Sequence, residues 1–133
     1  MAYLSDFDIS GYGLSAQRFR INIISSNIAN ANTTRTAEGG PYRRRSVIFK
    51  ATDFSEILNR KIKDDSNMLE YENPLNDPSS PKDADPSIMS VVVHKVVRDD
   101  KEFRLKYDPN HPDANDEGYV SYPNINPVME MAD

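Results

Sequence analysis

Phe7, Leu14, Ile21 and Ile28 recur every seven residues along an otherwise polar stretch of this chain. A seven-residue apolar period is the repeat of a helix that meets another helix, so it predicts a seam that one segment cannot bury alone. The intervening three-residue step is filled by Ser10, Gln17, Ile24 and Ala31, so the second row is mixed, with polar or small residues beside Ile24. Ser5 and Asp8 form a capping pair ahead of the repeat, so the pattern predicts one helix from Ser5 to about Asn32, roughly 40 Å long at about 1.5 Å per residue. Gly11 and Gly13 each weaken it by about 1 kcal/mol relative to Ala. Its first turns are therefore expected to depend on an assembly for order.

A chain of 133 residues is one ordinary domain in size. With 38% hydrophobic, 9% aromatic and 28% charged residues, it is wetter than the average globular chain. That balance favours an elongated or partner-dependent protein over a compact globule. There is no cysteine, which removes thiol nucleophiles, disulfides and cysteine zinc sites together. Met1 to Ile9 has neither a basic start nor an apolar run of signal-peptide length, so a cleaved secretory signal is not expected there. The wholly apolar runs of the chain, such as Val91 to Val93, are far too short to cross a bilayer. Charge is unevenly placed: residues 1–50 carry 7 Lys/Arg against 3 Asp/Glu, residues 51–133 carry 9 against 18, and the resulting +4 and −9 sum to the net −5. A basic front and an acidic back can meet head to tail between copies, a contact that builds filaments when the rotation does not close. Two solvated surfaces would give the same count.

Past the helix, Thr33, Thr34, Thr36 and the Gly39-Gly40-Pro41 breaker predict a connection, and Tyr42 to Lys50 a strand. Asp53 and Glu56 cap a short amphipathic helix through Phe54, Ile57, Leu58 and Ile62. Lys63 to Pro86, rich in Asp, Asn, Ser and with Pro74, Pro78, Pro81 and Pro86, is expected to be an irregular excursion. Ser87 to Val97 and Phe103 to Tyr107 read as strands of one antiparallel hairpin, with Phe103, Leu105 and Tyr107 on one face. Asp108 to Gly118 is turn-rich, and Tyr119 to Tyr122 is a last short strand. Asn126-Pro127 opens a helix whose apolar face, Met129, Met131 and Ala132, is cut short at Asp133. The division that follows is a helix over 1–32, a β-rich module over 33–125 with its excursion at about 63–86, and a helix start over 126–133. The fold class is α+β: a long coiled-coil type helix, a small antiparallel β module with polar loops, and a truncated second helix.

Each chemical motif has a plainer explanation. Gly11-Tyr12-Gly13-Leu14-Ser15-Ala16 matches a dinucleotide fingerprint in letters, but no strand precedes it and no acidic residue follows at the required distance. Asp113, Asn115, Glu117, Gly118 and Val120 fall on positions of a calcium loop, yet the twelfth position is Asn124 and prolines flank it. An Asx-rich turn explains the same residues. His94 sits in a strand and His111 in an Asn-His-Pro turn, without the partners that catalysis or a metal would need. Arg43, Arg44 and Arg45 could grip phosphate, but one short basic run on an acidic chain does not suit nucleic acid. An interface rim or an acidic neighbour suits it better.

Leu14-x-x-Gln17 with Ile21, Ser25, Ser26 and Asn27-Ile28-Ala29-Asn30 resembles the signature of bacterial flagellar rod, hook and hook-associated axial proteins. Two further stretches narrow the likeness to proximal-rod members. One is Pro41-Tyr42-Arg43-Arg44 with Val47 and Phe49. The other runs from Tyr107-Asp108-Pro109 and His111-Pro112-Asp113 through Gly118-Tyr119-Val120 to Pro123-Asn124-Ile125-Asn126-Pro127 and Glu130-Met131. The resemblance implies terminal helices paired as a coiled coil lining a rod, with the β module outside. It implies export by the flagellar type III apparatus without a cleaved signal, and assembly in the periplasm with other rod subunits and with itself. No catalysis, cofactor, nucleic acid or direct membrane insertion is expected. Leu14, Gln17, Ile21, Ile24 and Ile28 become seam residues, and Asn27, Ala29 and Asn30 the helix end, with the two asparagines hydrogen-bonded there or across subunits. Arg43, Arg44 and Arg45 become assembly contacts. The alternatives are a different axial protein of the same superfamily, or a small calcium-binding module on Asp113 to Gly118.

Overall fold

A computed structural model describes residues 2–54, 56–57 and 89–133, with side chains of the first helix from residue 6. The element order is α1 (Ala2–Ala29), β1 (Arg45–Asp53), β2 (Met89–Arg98), β3 (Arg104–Tyr107), β4 (Tyr119–Tyr122) and α2 (Pro127–Ala132). The architecture is α+β with small antiparallel sheets. The chain clusters into one unit of Met1–Ser15 with Lys50–Val92 and another of Ala16–Phe49 with Val93–Asp133.

In the first unit, α1 begins at Ala2, ahead of the Ser5 and Asp8 pair. Ala, Tyr and Leu are adequate helix formers, and they extend the helix past the cap that the sequence suggests. Gly11 and Gly13 lie inside α1, so the fingerprint-like run is helix rather than a phosphate-binding turn. Of the helix expected from Asp53 to Ile62, Asp53 is instead the last residue of β1, Phe54, Glu56 and Ile57 are helical, and the rest lies outside the described residues, as does the Lys63 to Pro86 stretch.

Among the described residues, most of the polar contacts lie in the second unit. α1 stops at Ala29, and a turn carries the chain through Asn32. Asn30 Nδ2 donates to the Ser26 carbonyl at 2.8 Å, beside the Asn30 backbone amide that donates to the same oxygen at 3.1 Å, while Asn30 Oδ1 accepts from the Thr33 hydroxyl at 3.1 Å. Gly39 and Gly40 both have positive φ, 85° and 78°, in a tight turn where the Thr36 amide donates to the Gly40 carbonyl at 2.9 Å. Tyr42 is a buried anchor rather than the start of a strand. Its amide donates to the Thr33 carbonyl at 3.1 Å, and its ring joins Ala31 and Ile125 in a small core. β1 accordingly begins at Arg45, three residues later than expected.

The expected hairpin of Ser87 to Val97 with Phe103 to Tyr107 does not form. β2 pairs with β1, and β3 pairs with β4. Asp99 decides this: its amide donates to the Arg44 carbonyl at 2.8 Å, and Arg43 Nη1 donates to its carbonyl at 3.2 Å. Its Oδ1 caps the Lys101 amide at 3.0 Å, so the chain leaves β2 in an Asx turn instead of folding back on it. β3 finds its partner across the 108–118 loop, in the register Arg104 to Tyr122, Leu105 to Ser121, Lys106 to Val120 and Tyr107 to Tyr119. Tyr107 and Tyr119 meet edge to face at 5.3 Å. Val120 and Ile125 are almost wholly buried, while Leu105 and Tyr107 remain exposed.

Gly118 closes this hairpin with φ +83°, and a Cβ there would sit 2.9 Å from Tyr107 Cε2. Gly118→Ala should therefore cost about 1–3 kcal/mol from backbone strain and crowding together. The check is the urea midpoint, and an unchanged midpoint would remove the argument.

Candidate functional site

Asn27 is about 1% exposed on the last turns of α1, and its side-chain amide makes four hydrogen bonds. Nδ2 donates to the Arg45 carbonyl at 2.8 Å and to Glu130 Oε2 at 3.1 Å. Oδ1 accepts from the Arg45 amide at 3.0 Å and from Tyr42 Oη at 3.1 Å. A carboxamide has two donor hydrogens and two acceptor lone pairs, and all four are used. By binding both the N–H and the C=O of Arg45, Asn27 acts as a one-residue strand partner to the start of β1.

Glu130 comes from α2 and is about 3% exposed. Asn126 caps that helix by accepting from the Val128 amide at 3.1 Å, and Pro127 fills its first turn, as the sequence predicts. Glu130 Oε1 is held by Arg44 Nε. Arg44 reaches on through Nη1 to Ser46 Oγ at 2.8 Å and through Nη2 to Asp133 Oδ2 at 3.1 Å. The Glu130 carboxylate, by hydrogen bonding, raises the Arg44 pKa further above its ordinary value. One polar cluster thus ties the end of α1, the start of β1 and α2 together. The sequence suggested an apolar face on α2; instead Val128, Met129 and Met131 are exposed and the charged residue is inside. Burying a carboxylate is tolerable here because a guanidinium and an amide replace its water.

The other sequence-selected residues fall into two groups. Leu14, Gln17, Ile21 and Ala29 are exposed on α1, while Ile24, Ile28 and Asn30 are half-buried. Phe7, Leu14 and Ile21 are 76%, 65% and 59% exposed. The three arginines diverge. Arg44 enters the buried cluster, whereas the Arg43 guanidinium lies 4.5 Å from the Phe103 ring centroid and that of Arg45 lies 5.5 Å from the Tyr42 ring. Arg44 therefore belongs to the fold, which separates it from its two neighbours. Sequence reasoning named Glu130 only within the resemblance and gave neither it nor Asp133 a role in the site. A lone glutamate between two methionines just after a capped Asn-Pro start was the available signal.

The calcium-like loop is engaged otherwise. Asp113 accepts from the Thr34 hydroxyl at 2.7 Å and pairs with Arg35 at 3.1 Å, and Asn115 Oδ1 accepts the amides of Glu117 and Tyr119. His111 Nδ1 accepts from the Asp113 amide at 3.1 Å, and His94 is exposed on β2. Among the described residues no group of three His, Cys, Asp or Glu side chains is placed to hold a metal, and no helix is long and apolar enough to cross a membrane.

On the surface, Glu38 receives two bonds from Arg98, at 2.7 and 3.0 Å. Those bonds hold the Glu38 carboxyl below its ordinary range and raise Arg98 above its own. A depressed carboxyl contributes stability above its unfolded pKa and loses it as pH falls through the folded value. An NMR titration of Glu38 should give a lower midpoint in the native chain than in Arg98→Gln; equal midpoints would refute the pairing in solution.

Removing one member of the buried cluster strands the others. Asn27→Ala should cost about 3 kcal/mol by leaving buried polar groups unpaired, and Glu130→Gln a comparable 3–5 kcal/mol by breaking the buried pair. Urea titrations with unchanged slope are the measurement, and losses of the size of a surface substitution would contradict this reading.

Residues 7–35 match the family model described as flagella basal body rod protein. Over its whole length the chain is 37% identical to the flagellar basal-body rod protein FlgC of Bacillus subtilis, across 139 residues and 80% of that relative. It is 38% identical to FlgC of Borreliella burgdorferi, with the same coverage. To FlgC of Salmonella typhimurium it is 32% identical over 133 residues, which is 98% of this chain and 76% of the relative.

Proposed function

Since the chain belongs to the FlgC family of flagellar basal-body rod proteins and is a structural subunit of the basal-body rod, we propose that its work is to carry torque through helix packing against other axial subunits and further copies of itself. The observation that carries this reading is the row of Phe7, Leu14 and Ile21, left between 59% and 76% exposed along one helix. Fully burying each such side chain is worth about 1.5–3 kcal/mol, so the row rewards a partner helix on the same seven-residue period. Ile28 ends that row half-buried, Gln17, Ile24 and Ala29 flank it, and coiled-coil pairing of α1 is the geometry they suit. The Asn27 and Glu130 cluster then acts as a rigid joint, passing load from α1 into the β-rich part without a swivel.

The chain reaches its place in the periplasmic rod through the flagellar type III apparatus, without a cleaved signal peptide, in our reading. Membership of a family of flagellar basal-body rod proteins supports that route. Heterologous contacts between unlike surfaces are what an open helical rod requires, and the uneven charge of the chain supplies unlike surfaces.

Leu14→Asp or Ile21→Asp tests the seam. Both side chains are exposed, so the isolated chain should keep its urea midpoint to within about 0.5 kcal/mol. In the bacterium that encodes it, the variant should be missing from purified basal bodies and motility should be lost. Normal swimming with the variant present in the rod would overturn the role of the row.

A further inference from the structure

Between the Gly39-Gly40 turn and the end of β2 lies a hollow of about 400 Å³ whose walls include Arg43, Arg45 and Arg98 together with the rings of Tyr42 and Phe103. The two aromatic rings hold two of the guanidinium groups in place, so they are ordered before any ligand arrives. Arg98 shows what the hollow takes, because it already grips a carboxylate, that of Glu38, through two bonds. Among the described residues Arg43 and Arg45 have no carboxylate within ion-pair distance, so three cations face one anion.

An acidic tip of matching chemistry lies elsewhere on the same chain. Asp116 and Glu117 are exposed on the 108–118 loop, and among the described residues no cation pairs with either. The loop is braced beneath them: Asn115 Oδ1 takes the amides of Glu117 at 3.1 Å and Tyr119 at 2.8 Å, and the Gly118 amide returns to the Asn115 carbonyl at 2.9 Å. A preformed turn presenting two carboxylates has little ordering entropy to lose on docking.

We propose that the arginine hollow of one copy binds the Asp116 and Glu117 tip of a second copy, with Glu38 as a placeholder that the incoming carboxylates displace from Arg98. This rests on the rod-subunit reading and names one of its subunit contacts. Hollow and tip are different surfaces, so the contact is head to tail and propagates when its rotation does not close.

Sedimentation velocity of the purified full chain over a concentration series tests this. Association should weaken as salt rises. Arg45→Glu with Arg98→Glu should weaken it at least about tenfold, as should Asp116→Lys with Glu117→Lys, whereas an equal mixture of the two variants should recover it, because every contact then joins opposite charges. Glu38→Gln should strengthen association several-fold by freeing Arg98, an effect that a merely structural Glu38 would not produce. Arg45→Gln with Arg98→Gln serves as the milder variant if reversal disturbs folding, which circular dichroism reports. Association indifferent to both reversals, a mixture that stays apart, or a chain monomeric at every concentration would overturn the contact and leave the rod role intact. Failure of the rod role would show instead as absence of the unaltered chain from basal bodies.

Discussion

The side-chain amide of Asn27 is the interaction on which the rest of the described structure depends. It sits at the end of α1 and holds the backbone of Arg45, the hydroxyl of Tyr42 and the carboxylate of Glu130, residues 18, 15 and 103 positions away. An apolar residue there would leave Glu130 with only Arg44 and the start of β1 without its partner. A carboxylate there would face another carboxylate in a buried place, which is unfavourable at close range. Shape, donor count and charge together admit asparagine, and the neighbouring polar groups are satisfied as one set.

This polar joint contrasts with the sparse apolar core of the second unit. Ala31, Tyr42 and Ile125 form its buried cluster, while Phe7, Leu14, Ile21, Val128, Met129 and Met131 are left in water. In a self-contained globule those large side chains would be inside, since their burial is the main favourable term in folding. In a subunit of a polymer the same burial is deferred to assembly. Directional hydrogen bonds set where the elements meet, and under the helix packing proposed above the non-directional term is left for contacts between subunits.

Several elements were legible from residues near one another. The Asn126-Pro127 cap, the Tyr119 to Tyr122 strand, the turns of the 108–118 loop and the long first helix follow from local patterns of capping, alternation and breaking. Strand pairing was not legible. Ser87 to Val97 and Phe103 to Tyr107 lie close in sequence and both favour strands, yet Asp99 is bound to Arg43 and Arg44 more than fifty residues earlier, and each strand pairs elsewhere. The three consecutive arginines looked equivalent as a run, and the fold gives Arg44 a buried partner while leaving its neighbours on aromatic rings.

What the sequence by itself determined is therefore the local grammar and the family: where helices start and stop, which row recurs every seven residues, and which motifs place the chain among rod proteins. Only the tertiary structure decided that Glu130 rather than Met129 or Met131 points inward, that Asn27 is its partner, and that Arg43, Arg45 and Arg98 share one hollow. The reason is physical. Capping and periodicity act over a few residues and leave their mark in neighbouring letters, whereas a buried charge is stable only beside a specific counter-charge, and that partner is brought near by the folding of the whole chain.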